Sequence, residues 1–152
     1  MGSPRHASKP VTMKLAVVLV LALAGTASAE EVQGVYDVKY EQMASNCPSS
    51  LSFKSGELKI DVKGRSLVVN IETVPQMVGV IDAAKGKINA VTKKASPTLV
   101  EGMDGKFSVA GRVQSGVLQL MFVGEYTSKG KALCTQSWNI TGARRDDVKP
   151  AK

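Results

Sequence analysis

Histidine is nearly absent: the chain of 152 residues contains one, His6, close to its N-terminal end. A working domain without it has no imidazole general base and no Ser–His or Cys–His nucleophile pair. It also lacks the commonest transition-metal ligand. Cysteine is scarce too. The two present, Cys47 and Cys134, read as one disulfide if the chain is exported. Aromatic residues make up only 5% of the chain, with a single Trp, Trp138. Against so few rings, Met43, Met77, Met103 and Met121 stand out as flexible apolar filling. No Gly-rich loop opens a helix to hold phosphate, and no calcium-loop spacing occurs. No cofactor is expected.

Long apolar runs are missing as well. The one run, Leu15 to Ala24, has ten residues, and a bilayer-spanning helix needs about 20. Lys14 precedes it and Ala27-Ser28-Ala29 follows it. A positive start, a short apolar stretch and a small-residue cleavage site make a secretory signal peptide. Residues 1–29 are therefore expected to be a leader and signal that are removed, with Met13 as an alternative start. Residues 30–152 are then one domain with a short flexible C-terminal tail, exported to the periplasm or the medium of a bacterium. Removing Arg5, Lys9 and Lys14 from the 20 basic residues leaves 17 against 13 acidic ones. That mild excess is spread through the chain rather than gathered in a stripe, so no nucleic-acid partner is expected.

What is present is alternation. Tyr36, Val38 and Tyr40 alternate with Asp37, Lys39 and Glu41. Leu58, Ile60 and Val62 alternate with Lys59, Asp61 and Lys63. Leu67, Val69 and Ile71 alternate with Val68, Asn70 and Glu72, and Phe107, Val109 and Val113 stand between polar or small residues. A period of two with one apolar face is the pattern of half-buried antiparallel strands. Further strands are read at 77–83, 87–93, 117–126 and 132–142. Their inward residues are Ile81, Ile88, Ala90, Leu118, Leu120, Phe122, Trp138 and Ile140. Residues 82–94 are rich in Ala and Lys, yet Gly86 interrupts them, so strand is preferred to helix there. Gly64-Arg65, Asp104-Gly105, Ser115-Gly116 and Lys129-Gly130 mark the hairpin turns.

The expected fold is all-β: an eight-stranded antiparallel up-and-down barrel with one disulfide. Cys47 follows the first strand and Cys134 begins the last. If these strands pair to close the barrel, the two sulfurs meet. Odd-numbered connections then share one rim. It carries the two longest loops, 44–56 and 95–105, and is the expected functional end. A membrane barrel is not expected, because Lys59, Asp61, Lys63 and Arg112 occupy the outer face.

This outline resembles the calycins, the lipocalin-like group of small barrels. Gly34-Val35-Tyr36 stands near the start of the domain where lipocalins carry Gly-x-Trp. The resemblance implies an Arg from the end of the last strand packing over that ring, and Arg144 or Arg145 is placed for it. It implies a ligand carrier, although Tyr replaces Trp.

Two binding surfaces are expected. Tyr36, Tyr40, Met43, Met77, Phe107, Phe122 and Trp138 are candidates for an interior cavity or its rim, suited to a small apolar or lipid-like ligand. Gly34, Gly79, Ala90 and Gly111 are expected to leave inward space. Phe53, Leu99, Val100 and Met103, apolar residues in loops, are candidates for contact with an envelope protein, as in a periplasmic hydrolase inhibitor. No catalysis is expected. The scattered carboxylates show no convergence, and Tyr36 and Tyr40 are the only inward candidates for a base.

Overall fold

Alternation becomes strand throughout the domain. The structure, a computed structural model, describes Gly2, residues 29–48 and residues 51–145. The expected signal run up to Ser28 and the tail from Asp146 lie outside the described residues. A four-residue helix α1 (Ala29–Val32) leads into β1 (Gly34–Ser45), β2 (Gly56–Lys63), β3 (Ser66–Ile71), β4 (Met77–Asp82) and β5 (Lys87–Thr92). Then come β6 (Ser96–Pro97), β7 (Asp104–Gln114), β8 (Val117–Ser128) and β9 (Lys131–Arg144). The Ala- and Lys-rich segment is strand β5. Its Ile88, Ala90 and Thr92 are buried while Lys87, Asn89 and Val91 are exposed, a period of two that a helix cannot give.

All nine strands belong to one antiparallel sheet whose pairings close on themselves. Each strand from β1 to β5 pairs with the next, β5 pairs with β7, β7 with β8, β8 with β9, and β9 with β1. The count is nine rather than eight because Ser96 and Pro97 form a short extra strand against Gly105 and Asp104. Pro97 lacks a donor, which confines it to such an edge. The seam between β1 and β9 runs from Tyr36 opposite Arg144 to Ser45 opposite Gln136, with a register shift between Gln42 and Ala44. Cys47 and Cys134 are bonded beside that seam, with Cα atoms 5.0 Å apart. The reading that joined the first and last strands through the cystine is met.

The core lies inside the ring. Leu58, Ile60, Val69, Met77, Val109, Leu118, Phe122 and Ile140 are among its buried residues. The glycines expected to leave inward space do something else. A Cβ on Gly79 would collide with the Asn89 carbonyl oxygen, so Gly79 lets β5 cross β4 closely. At Gly34 the space is taken by the Arg144 side chain.

The two ends of the ring differ. Residues 64–65, 83–86 and 115–116 are tight turns at one end, and α1 packs there against β2 and β7. Val32 is fully buried, and the Tyr36 hydroxyl donates to its carbonyl at 2.6 Å. Arg144 donates to the carbonyls of Glu31 and Glu30 at 3.0 and 3.3 Å, which holds the C-terminal end of α1. This end is closed. The opposite end carries residues 46–48, 51–55, 72–76 and 93–103, and the β8–β9 turn.

Candidate functional site

Strand β1 pairs with β2 only from Gly34 to Val38. Beyond Val38 the two diverge, and residues 51–55 fill the gap. The chain there turns inward because two apolar side chains, Leu51 and Phe53, pack on the core. Phe53 lies 4.9 Å from Trp138, 5.2 Å from Phe122 and 5.4 Å from Tyr40, ring centre to ring centre. Phe122 in turn stacks on Phe107 at 5.5 Å, and Phe107 meets Tyr126 edge-on at 5.9 Å. Few as they are, all the aromatic residues but Tyr36 gather in one cluster beneath the long loops. All but Phe53 are supplied by strands.

Gln136 holds the inserted segment. It is buried on β9 between Cys134 and Trp138. Its carboxamide accepts from the Leu51 amide at 3.2 Å and donates to the Leu51 carbonyl at 3.4 Å. A side-chain amide thus pairs with a backbone amide as a neighbouring strand would, and the Leu51 groups are satisfied where no strand reaches. Polar residues on the inward phase of a strand are the signal that reveals this. Gln136 sits among Cys134, Trp138 and Ile140, and Tyr126 continues the series Leu118, Leu120, Phe122 and Gly124.

Two openings lie over the Phe53 ring. A groove of about 200 Å³ is lined by Tyr40, Phe53, Glu72, Thr73 and Leu99. A crevice of about 20 Å³ between Leu51, Pro75, Pro97 and Leu99 reaches both Phe53 and Phe107. The interior beneath is lined by the buried core side chains. Tyr40 is half-buried in the wall, and burial, with the Glu72 charge adding to it, pushes its pKa up to about 12. Burial also raises the pKa of Tyr126 and that of Tyr36, which the nearby Arg144 partly offsets. All three therefore hold their protons at neutral pH.

The residues singled out in the sequence divide between these places. Tyr40, Phe107, Phe122 and Trp138 line the interior beneath the long loops, and Met77 is fully buried nearer the same end. Tyr36 is at the closed end, under α1, and so lines neither cavity nor rim. Met43 is exposed on the outer face at the β1 register shift, where its sulfur accepts from the Asn139 amide at 3.2 Å. Of the loop residues expected to meet a partner, Leu99 is 80% exposed and Val100 half-buried. Phe53 points inward. Met103 is buried, because the Thr98 hydroxyl and backbone tie its carbonyl into a turn that folds under the loop.

Outside the ring, Asp37, Lys39, Glu57, Glu72 and Arg145 line an open groove of about 530 Å³. Arg145 bridges Asp37 at 2.6 Å and Glu57 at 3.0 Å, and its hydrogen bond holds the Asp37 carboxyl below the usual range. Both partners are exposed, so the pairing carries little stability. Among the described residues no three His, Cys, Asp or Glu side chains gather where they could hold a metal ion, and no helix is long and apolar enough to cross a membrane. The cystine suits an oxidising, exported compartment. Comparison with known protein families, with curated proteins and with solved structures finds no match.

Proposed function

We propose that this is an exported, non-catalytic binding protein of the calycin-like barrel type, which takes a small apolar or lipid-like ligand into its interior at the long-loop end. One observation carries the reading: the ring that fills the aromatic interior, Phe53, comes from a loop and not from a strand. A ladder fixes the backbone beneath a strand side chain, whereas Phe53 stands on a loop and already lines the adjoining groove with Tyr40 and Leu99, into which its ring would turn. Binding then exchanges one apolar ring for another, and the displaced ring lies against Tyr40 and Leu99 in a groove whose other walls, Lys54, Glu57 and Glu72 among them, are polar. The closed end supports the same reading, since Arg144 stands opposite Tyr36 in the ladder, where the lipocalin resemblance implies an Arg, and both residues hold α1 over that end. So does the buried polar inventory of the described residues: Thr92 and Gln136 are hydrogen-bonded, and beside them only the Tyr36 and Tyr126 hydroxyls are buried, a set poorly suited to a sugar or nucleotide. Catalysis is not part of the proposal. Tyr40, with its pKa near 12, is a poor base at neutral pH.

The test is to isolate the protein from its own host without detergent, extract it with organic solvent and analyse the extract by mass spectrometry. About one small apolar molecule per chain is expected. A chain that carries nothing and takes up no added apolar compound contradicts the proposal.

A second reading is favoured by Leu99, the most exposed large apolar residue described. With Pro97 beside it at the loop tip, it suits contact with an envelope protein. Recovery of a partner from periplasmic extract by the wild type but not by Leu99→Ala supports it. Equal recovery by both counts against the loop as the contact.

A further inference from the structure

Among the buried side-chain nitrogen and oxygen atoms described, one has no hydrogen-bond partner: the Tyr126 hydroxyl. Tyr126 is 1% exposed. A buried hydroxyl left unpaired is unfavourable, so such groups in folded proteins ask for an explanation. The other fully buried tyrosine shows the contrast. Tyr36 spends its proton on the Val32 carbonyl at the closed end. Thr92 and Gln136, the remaining buried polar side chains, are bonded to backbone groups.

The position of the orphan is specific. Its oxygen lies over Gly124, where a Cβ would come within 2.6 Å of it. Gly124 stands in register between Phe107 on β7 and Gln136 on β9. The absent side chain therefore makes the place in which the hydroxyl sits. From there a continuous series of rings, Phe107, Phe122 and Phe53, leads to the loop-borne ring proposed to yield. The crevice between Leu51, Pro75, Pro97 and Leu99 opens onto Phe107, the ring against which Tyr126 packs.

We propose that the Tyr126 hydroxyl is the polar anchor of the interior site, donating its proton to a single acceptor oxygen on a small, neutral, ring-sized ligand. The inference rests on the interior reading of the function and narrows it to a ligand class. Neutrality follows from the surroundings. Among the described residues no buried side chain carries a charge, so a carboxylate drawn into the interior would be desolvated without a cation. A donor is what the site offers, because burial keeps the phenol protonated. One acceptor suffices, because the other buried polar side chains described, Thr92 and Gln136, are already bonded to backbone groups.

Acetophenone and ethylbenzene make the test. They are nearly the same in shape and differ in one carbonyl acceptor. Each is titrated into the full domain by NMR, as wild type, Tyr126→Phe and Phe53→Ala, with melting temperatures recorded. The wild type is expected to bind both, and the affinity ratio of acetophenone to ethylbenzene is expected to fall roughly tenfold in Tyr126→Phe. Tyr126→Phe should melt no lower than wild type, since it removes an unpaired group. Phe53→Ala should bind both more tightly. If both probes bind and the ratio is unchanged in Tyr126→Phe, the anchor is refuted while the interior site stands. A lower melting temperature of Tyr126→Phe with an unchanged ratio refutes it likewise, marking a hydroxyl satisfied within the fold. If the wild type binds neither probe, or if only Phe53→Ala binds, the stopper does not yield and the interior reading itself is overturned.

Discussion

Phe53 is the residue on which most depends, and its cost can be stated. It is half-buried against three rings, so Phe53→Ala should destabilise the protein by about 1–3 kcal/mol, below the usual range for a fully buried Phe. Because Trp138 is the only tryptophan and lies against Phe53, the loss should also shift its emission to the red as water enters. An unshifted spectrum would mean that the ring does not shield the indole. The tyrosines give a second test. Tyr40 and Tyr126 have raised folded-state pKa values, so below pH 10 they are protonated in both states and contribute no pH dependence. Above pH 10 the unfolded chain ionises first, and stability falls as pH rises towards 12 and beyond, by up to about 2–3 kcal/mol for Tyr40 alone. Denaturation curves across that window should flatten in Tyr40→Phe. At this scale the sequence was a partial guide. The inward phase of each strand placed Phe107, Phe122 and Trp138 correctly. It could not place Phe53 or Met103, because loop residues have no period, and which apolar loop side chain folds inward depends on the gap between β1 and β2.

Among the elements, α1 shows how an end is closed. Four residues make no stable helix alone. The helix persists because Val32 is buried, Tyr36 takes one of its free carbonyls, and Arg144 takes two more. Arg144→Ala should therefore speed exchange of the Gln33 amide, which bonds the Ala29 carbonyl across α1, with a loss of about 1–2 kcal/mol. Unchanged protection would show that Val32 burial alone holds the cap. The strand crossings are stricter. Gly79→Ala has to push apart the β4–β5 backbones and should cost about 1–3 kcal/mol or more, although alanine is only one methyl larger. Strand existence was plain from alternation and turn glycines. Helix α1 was not, since it adjoins the expected cleavage site and is too short to show a period. The pair Ser96–Pro97 was missed for the same reason, two residues being too few to alternate.

At the scale of the whole molecule, closure is the organising fact. The cystine ties residues 87 apart in sequence beside the seam where the last strand meets the first. In the chain-entropy account such a crosslink stabilises by about 4–5 kcal/mol. The double variant Cys47→Ala and Cys134→Ala should melt well below the wild type yet keep its β-sheet circular dichroism, since the β1–β9 ladder does not need the bond to pair. Two cysteine positions and the alternation between them were enough to anticipate that ladder, because only a ring brings the first and last strands together. The occupant of the interior was not legible, for it depends on where one loop ring sits. The central claim is that the ring's interior is a ligand site with Phe53 as its removable stopper. The most direct measurement is of nuclear Overhauser contacts from the Trp138 indole, in free protein and in protein saturated with acetophenone. In the free protein the indole should show contacts to the Phe53 ring. With ligand these should vanish and be replaced by contacts to acetophenone. Indole contacts to Phe53 that persist unchanged at saturation would contradict the account.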